Sequence, residues 1–208
     1  MIPVTVLAVQ NLSAVSTELS KALGTKEPCL GLITTDSDDP TYIALDQATK
    51  DAQVAVCYAR SFYAGAANAT TPYSGEVIGI LAGPTPGAVR SGMESALNEL
   101  QTVGFDEVNG VPVLAHTVSR CGSFLAREAG VPEGTPIAYL IAPPLESMYA
   151  MDAALKAADV KLCKLYNPPS ETNFGGGLLS GTQSACAAAC AAFRDAVAEV
   201  AGRPNKER

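Results

Sequence analysis

The sequence predicts an α/β fold built twice, as two tandem domains in which helices pack on a sheet. Three observations carry this: an internal repeat, apolar strands interleaved with amphipathic helices, and enough apolar material for two small cores. The chain has 208 residues, of which 48% are hydrophobic and 17% charged. Its mean hydropathy is +0.17. That composition excludes disorder as the main state. A net charge of −7 argues against a nucleic-acid or anionic-membrane binder, since both need clustered lysine and arginine. No apolar run approaches the ~18 residues of a membrane span. The opening run MIPVTVLAVQNLSAVS lacks the basic residues and cleavage site of a signal peptide. A soluble, intracellular protein is the expectation.

The repeat is clearest where Ala44–Cys57, ALDQATKDAQVAVC, aligns without a gap to Ala150–Cys163, AMDAALKAADVKLC. Seven of fourteen positions are identical, among them Asp46/Asp152, Lys50/Lys156 and Cys57/Cys163. Chance gives about one match. Val4–Gly24 likewise parallels Val111–Gly130, each reading as an apolar strand, a polar turn, then a helix closing at glycine. Glu76–Leu100 parallels Gly176–Val200, where a short strand runs through glycine into a helix. In that last helix Cys186, Cys190, Phe193, Val197 and Val200 form one apolar stripe. Each half therefore reads β-α-β-α-β, an irregular loop, then β-α. The turn-like Val108–Asn109–Gly110 suggests a boundary, giving domains 1–108 and 109–208.

The six cysteines, Cys29, Cys57, Cys121, Cys163, Cys186 and Cys190, sit in apolar contexts with no C-x-x-C pair. Cys186 and Cys190 share a helix face, but a metal site would need further ligands, so packing is the better reading and no metal is expected. Catalytic patterns are missing. His116, the single histidine, lies in the strand-like VPVLAHTVS and reads as a half-buried structural residue. No nucleophile elbow, phosphate loop, dinucleotide fingerprint or zinc-protease motif appears. The chain is not expected to be an enzyme.

Asp36, Asp38, Asp39 and Glu76 form the most suggestive polar group. Asp39-Pro40 reads as an N-cap followed by proline at the first helical position, and Asp36 and Asp38 suit the positive end of that helix. From spacing alone, capping outweighs a cation site, and the calcium-loop pattern is absent. The two halves diverge most in their loops, Ala59–Glu76 and Leu165–Gly177, both rich in proline, glycine, asparagine and serine.

At these residues a family resemblance emerges. LGLITTDSDDPTYIALDQATKDAQV, SFYAGAAN, APPLESMYAMDAALKAADV and PPSETNFGGGLLSGTQSACAAACAAF together resemble the EutL family, tandem-domain shell proteins of ethanolamine-utilisation bacterial microcompartments. The likeness covers essentially the whole chain. It implies two circularly permuted microcompartment-shell domains, each a ferredoxin-like β-sheet with helices packed on it. It further implies a homotrimer shaped as a pseudohexamer, located in the cytoplasmic microcompartment shell and tiled edge to edge with other shell proteins. Lys50 and Lys156 resemble the tile-edge lysine of such domains, although a solvated helix face would explain either one alone.

The resemblance also implies a gated central pore that passes metabolites or bulky cofactors. Its gate loop matches Tyr166, Asn167, Pro168, Pro169, Ser170, Glu171, Thr172, Asn173, Phe174, Gly175, Gly176 and Gly177, with the three glycines as a flexible hinge. The family's ethanolamine site matches Asp38, Asp39, Glu76 and Phe105. Carboxylates would hold the ammonium, and an aromatic face adds about 0.5–2 kcal/mol. Pro144 and Leu145 replace the acidic pair in the second half, so one site per chain is expected. Some relatives accommodate a cobalamin at the pore, but no residue pattern here predicts one. The competing readings are a shell protein of choline or diol metabolism, for which three carboxylates suit uncharged diols poorly, and a cytosolic metabolite sensor.

Overall fold

The computed structural model describes residues 1–62, 73, 75–168, 170 and 172–205. They form two compact units. One holds Pro3–Val103 together with Gly122–Leu125, and the other holds Met1–Ile2, Gly104–Cys121 and the chain from Ala126 onward.

In the first unit the order is β1 (Val6–Leu12), α1 (Thr17–Ala22), β2 (Cys29–Thr35), α2 (Asp38–Asp51), β3 (Ala55–Ser61), β4 (Val77–Gly83) and α3 (Pro86–Glu99). The strands make an antiparallel sheet in the order β1-β2-β4-β3. Central β2 and β4, CLGLITT and VIGILAG, read as nearly unbroken apolar runs because they are covered on both faces. Ile43, Ala44, Leu45 and Ala48 of α2 and Val89, Met93 and Ala96 of α3 are buried. Leu30, Ile80 and Ala82 pack with Val15 and Leu23 in a second cluster. Helix α3 starts where Thr85 accepts the Ala88 N–H at 3.1 Å, followed by Pro86, an N-cap with proline at the first turn.

The second unit runs β5 (Asp106–Val108), β6 (Val111–Val118), α4 (Ser123–Ala129), β7 (Ile137–Ala142), α5 (Pro144–Ala157), β8 (Val160–Tyr166), β9 (Gly175–Gly181) and α6 (Gln183–Gly202). The opening residues of α4 belong to the first unit. Its sheet is antiparallel in the order β5-β6-β7-β9-β8. All six residues of β7 are buried. Leu140 and Leu179 of the sheet, Met151 of α5, and Cys186, Phe193 and Val197 of α6 share one core. The expected stripe on α6 is therefore its buried face, with Val200 half-buried at its end. All six thiols are free. Burial pushes the Cys190 thiol up to about 11, which makes it an inert packing group.

The expected α/β architecture with its repeat is present: β6-β7-β9-β8 repeats the order of β1-β2-β4-β3, and α2 and α5 occupy matching positions. The boundary differs from the expectation. Val108 and Val111 face each other across β5 and β6, with Asn109 at φ 50° and Gly110 at φ 80°. Asn-Gly with two positive φ values is a two-residue hairpin turn. The units change over ahead of it, between Val103 and Gly104.

Candidate functional site

The acidic residues gather where β2 hands over to α2. The Thr35 and Thr41 hydroxyls lie 2.7 Å apart, and both reach the Ser37 carbonyl, at 2.8 and 2.7 Å. Both threonines are buried, so this small network fixes the turn. It also moves the helix start. Ser37 is the N-cap, without a side-chain capping bond, and Asp38 and Asp39 form the first turn. Asp39 is thus not the N-cap that Asp-Pro suggested, and Pro40 sits two positions deeper than expected. Proline is tolerated there because the first-turn N–H groups have no intrahelical acceptor. The Asp38 carboxylate instead accepts the Asp39 N–H at 2.9 Å.

Burial pushes the Asp38 carboxyl above the usual aspartate range. Bonds from the Asp39 N–H and the Ser61 hydroxyl oppose that rise, and the neighbouring Glu76 carboxylate adds to it. Glu76 is half-buried just before β4. Its N–H donates to the Thr35 carbonyl at 2.9 Å, and its own carbonyl accepts the Phe62 N–H at 3.0 Å. The ends of β2, β3 and β4 therefore set Asp38, Ser61 and Glu76 together, and buried Asp39 is next in the helix. Asp36 is occupied elsewhere: its carboxylate accepts the Thr5 N–H at 2.8 Å, and its N–H donates to the Thr5 carbonyl. Phe105 belongs to the second unit, where its ring lies 5.6 Å from that of Phe174. Ser61 was not foreseen. Nothing in ARSFYAGAAN marks one serine as a partner for a distant aspartate. Two carboxylates and a hydroxyl, partly withdrawn from water, suit a small cation that also donates hydrogen bonds.

The gate-loop residues divide differently from the expectation. Tyr166 closes β8, its ring 6.3 Å from Tyr139 and 5.3 Å from the Lys164 ammonium. Gly175, Gly176 and Gly177 are not a loop hinge. They open β9, are buried, and pair with Ala142, Ile141 and Leu140 of β7. Gly176 has φ 145°, and a Cβ there would lie 1.9 Å from the Leu140 carbonyl oxygen. Close backbone approach, not flexibility, requires glycine at this point. The connection proper is Asn167–Phe174, in which the Thr172 N–H meets the Ser170 hydroxyl and the Phe174 N–H meets the Thr172 hydroxyl, each at 3.3 Å. Pro169 and Glu171 lie outside the described residues, as does most of the Ala59–Glu76 loop.

The two repeated lysines stand in the last turns of α2 and α5, where cations complement the helix dipole. Lys50 lies 3.9 Å from Asp46, and Lys156 lies 2.5 Å from Asp152. Asp46 is fully buried and accepts the N–H groups of Gly122 at 2.7 Å and Leu125 at 2.8 Å. Burial pushes its carboxyl up against the pull of those bonds. His116 is half-buried on β6, opposite Tyr139. Among the described residues, no three His, Cys, Asp or Glu side chains are grouped to hold a metal ion, and no helix is long and apolar enough to cross a membrane.

Comparison with known proteins places this arrangement in a family. A BMC domain model matches residues 29–116, from the start of β2 into β6. The chain is 56% identical over 205 residues to the bacterial microcompartment shell protein EutL of Clostridium perfringens, covering 96% of this chain and 94% of that one. A monoclinic crystal structure of EutL from the same organism superposes with a TM-score of 0.94 at 55% identity, over 98% of this chain and 96% of the other. The ethanolamine utilization protein EutL of Leptotrichia buccalis gives a TM-score of 0.94 at 52% identity, over 98% and 97%. The chain belongs to the EutL family of bacterial microcompartment shell proteins.

Proposed function

We propose that this chain is a structural, non-catalytic shell subunit of an ethanolamine-utilisation microcompartment, assembled as a pseudohexagonal homotrimer beside other shell proteins. In this reading Lys50 and Lys156 lie at tile edges, and the Tyr166–Phe174 segment gates a central pore. Ethanolamine binds at Asp38, Asp39 and Glu76, with Phe105 supplying an aromatic face. The juxtaposition of Asp38 and Glu76, two carboxylates brought together with the Ser61 hydroxyl, carries the ligand assignment. Like charges held together favour a cation between them, and ethanolamine offers both an ammonium and a hydroxyl. If ethanolamine favours a closed gate, linkage requires it to bind that state more tightly.

Titration calorimetry of the full chain with ethanolamine tests the reading. Wild type is expected to bind, and Asp38→Asn to bind at least tenfold more weakly, in line with the ~1.5–3 kcal/mol of a hydrogen bond to a charged group. Equal affinity in the two proteins would remove the site. Uncharged 1,2-propanediol binding as well as ethanolamine would favour a shell of diol metabolism instead.

A further inference from the structure

The register of β3 against β4 decides which way Ser61 faces. Ala59 pairs with Gly79 and Ser61 with Val77. Opposed residues share a face of the sheet, as do residues two apart along a strand. That face is the one α2 covers, because a Cβ added at Gly79 would lie 2.5 Å from the Leu45 side chain. Asp38 stands seven residues, two helical turns, before Leu45, so it lies on the same side of α2. Ser61, the last residue of β3, therefore meets Asp38, the first of α2, and its hydroxyl donates to the Asp38 carboxylate.

Asp38 needs such a donor. Among the described residues, the titratable groups gathered around it are acidic: Asp39 beside it on α2, Asp36 in the preceding turn and Glu76 ahead of β4. Strand β2 brings threonines to this end, Thr34 and Thr35. On β3, Tyr58 and Arg60 are exposed and face away from Ser61 on the opposite side of the strand. Tyr73, whose carbonyl accepts the Thr34 hydroxyl at 2.9 Å, is exposed as well. A carboxylate withdrawn from water beside a like charge holds its proton unless hydrogen bonds favour the charged form. The second repeat has neither partner. At the offset that aligns Cys57 with Cys163, Asp38 falls on Pro144 and Ser61 on Asn167.

We propose that Ser61 is the positioning residue of the cation site: its hydroxyl holds the Asp38 carboxylate charged and oriented, so that it receives an ammonium over a wider pH range. Ser61 acts through Asp38 and makes no contact with the ligand. The proposal rests on the ethanolamine reading and assigns what tunes that site.

Ethanolamine affinity of the full chain, followed by titration calorimetry between about pH 4 and pH 8, tests it. Wild type is expected to gain affinity with rising pH and then level off. Ser61→Ala is expected to reach the same plateau but to bind about tenfold more weakly on the acidic limb, the loss of one hydrogen bond to a charged group. Ser61→Thr, which keeps the hydroxyl, is expected to follow wild type. Ser61→Cys, of similar size and a weak donor, replaces the alanine variant if that does not fold. A loss equal at every pH, or no loss at any pH, would overturn the proposal. Wild type that binds no ethanolamine at any pH would instead overturn the ethanolamine reading. Carbon-13 NMR titration of the aspartate carboxyls, assigned with Asp38→Asn, then decides the role of Ser61 without ligand. An Asp38 midpoint that rises in Ser61→Ala supports the role, and an unmoved midpoint overturns it.

Discussion

Asp46 and Leu125, 79 positions apart, meet at 2.8 Å, the fully buried carboxylate accepting a backbone N–H in the first turn of α4. With Gly122 bonded to the same carboxylate, this side chain ties a segment of the second repeat into the unit formed by the first. Its counterpart Asp152 stays exposed, paired with Lys156 of its own helix. The same residue in the same helical position thus does two jobs.

Replacing Asp46 by alanine leaves two buried N–H groups without their acceptor, at about 1–3 kcal/mol each. Urea denaturation is expected to show a loss of about 2–6 kcal/mol, whereas Asp152→Ala in the isolated chain stays within about 0.5 kcal/mol. Equal effects in the two variants would mean that Asp46 is not what anchors Gly122–Leu125.

Gly176→Ala combines a positive φ with a Cβ 1.9 Å from the Leu140 carbonyl oxygen. Since β7 cannot yield without breaking its pairing, a loss of about 3 kcal/mol or more is expected. Gly87→Ala, on α3, meets only the Thr85 hydroxyl at 3.8 Å and is expected to be neutral or slightly stabilising. Denaturation midpoints check both, and a mild Gly176→Ala would restore the hinge interpretation of the glycine run.

Phe193 is fully buried in the core of the second unit. Phe193→Ala is expected to cost about 3–5 kcal/mol, read by the same titration. Val200→Ala, at the half-buried end of the stripe, should cost much less.

The Asp38 carboxyl is raised above 3.8 by burial, with Glu76 adding to the rise. A raised carboxyl keeps its proton to higher pH, and a cationic ligand needs the ionised form. Ethanolamine affinity is therefore expected to climb with pH through that raised value and then level off. At mildly acidic pH, binding should release a proton, visible as a buffer-dependent heat in calorimetry. Affinity that stays flat down to pH 3.8 would contradict a role for Asp38.

Much of the fold was legible because the chain spells its domain twice. The match of Ala44–Cys57 to Ala150–Cys163 located α2 and α5, and the stripe from Cys186 to Val200 located the inner face of α6. The domain boundary was misread although its signal was present: Val-Asn-Gly-Val is a hairpin turn before it is a linker, but the three-residue β5, Asp-Glu-Val, has too little alternation to announce a strand. The glycines at 175–177 misled for a different reason. Their requirement comes from the backbones of β7 and β8, which are distant in sequence. The divergent burial of Asp46 and Asp152 was invisible for the same reason, since identical local sequences carry no record of which one a distant segment covers. Asp38, Asp39 and Glu76 stand out as a polar group from the residues themselves, and the resemblance assigns them a ligand, while Ser61 needed the sheet to bring it there.

The solution mass of the unmodified chain, by light scattering after size exclusion, tests the central claim most directly. A species three times the 21.4 kDa chain is the result expected of a shell subunit with two domains per chain. A stable monomer would contradict the shell assembly and leave two tandem domains with no wall to build.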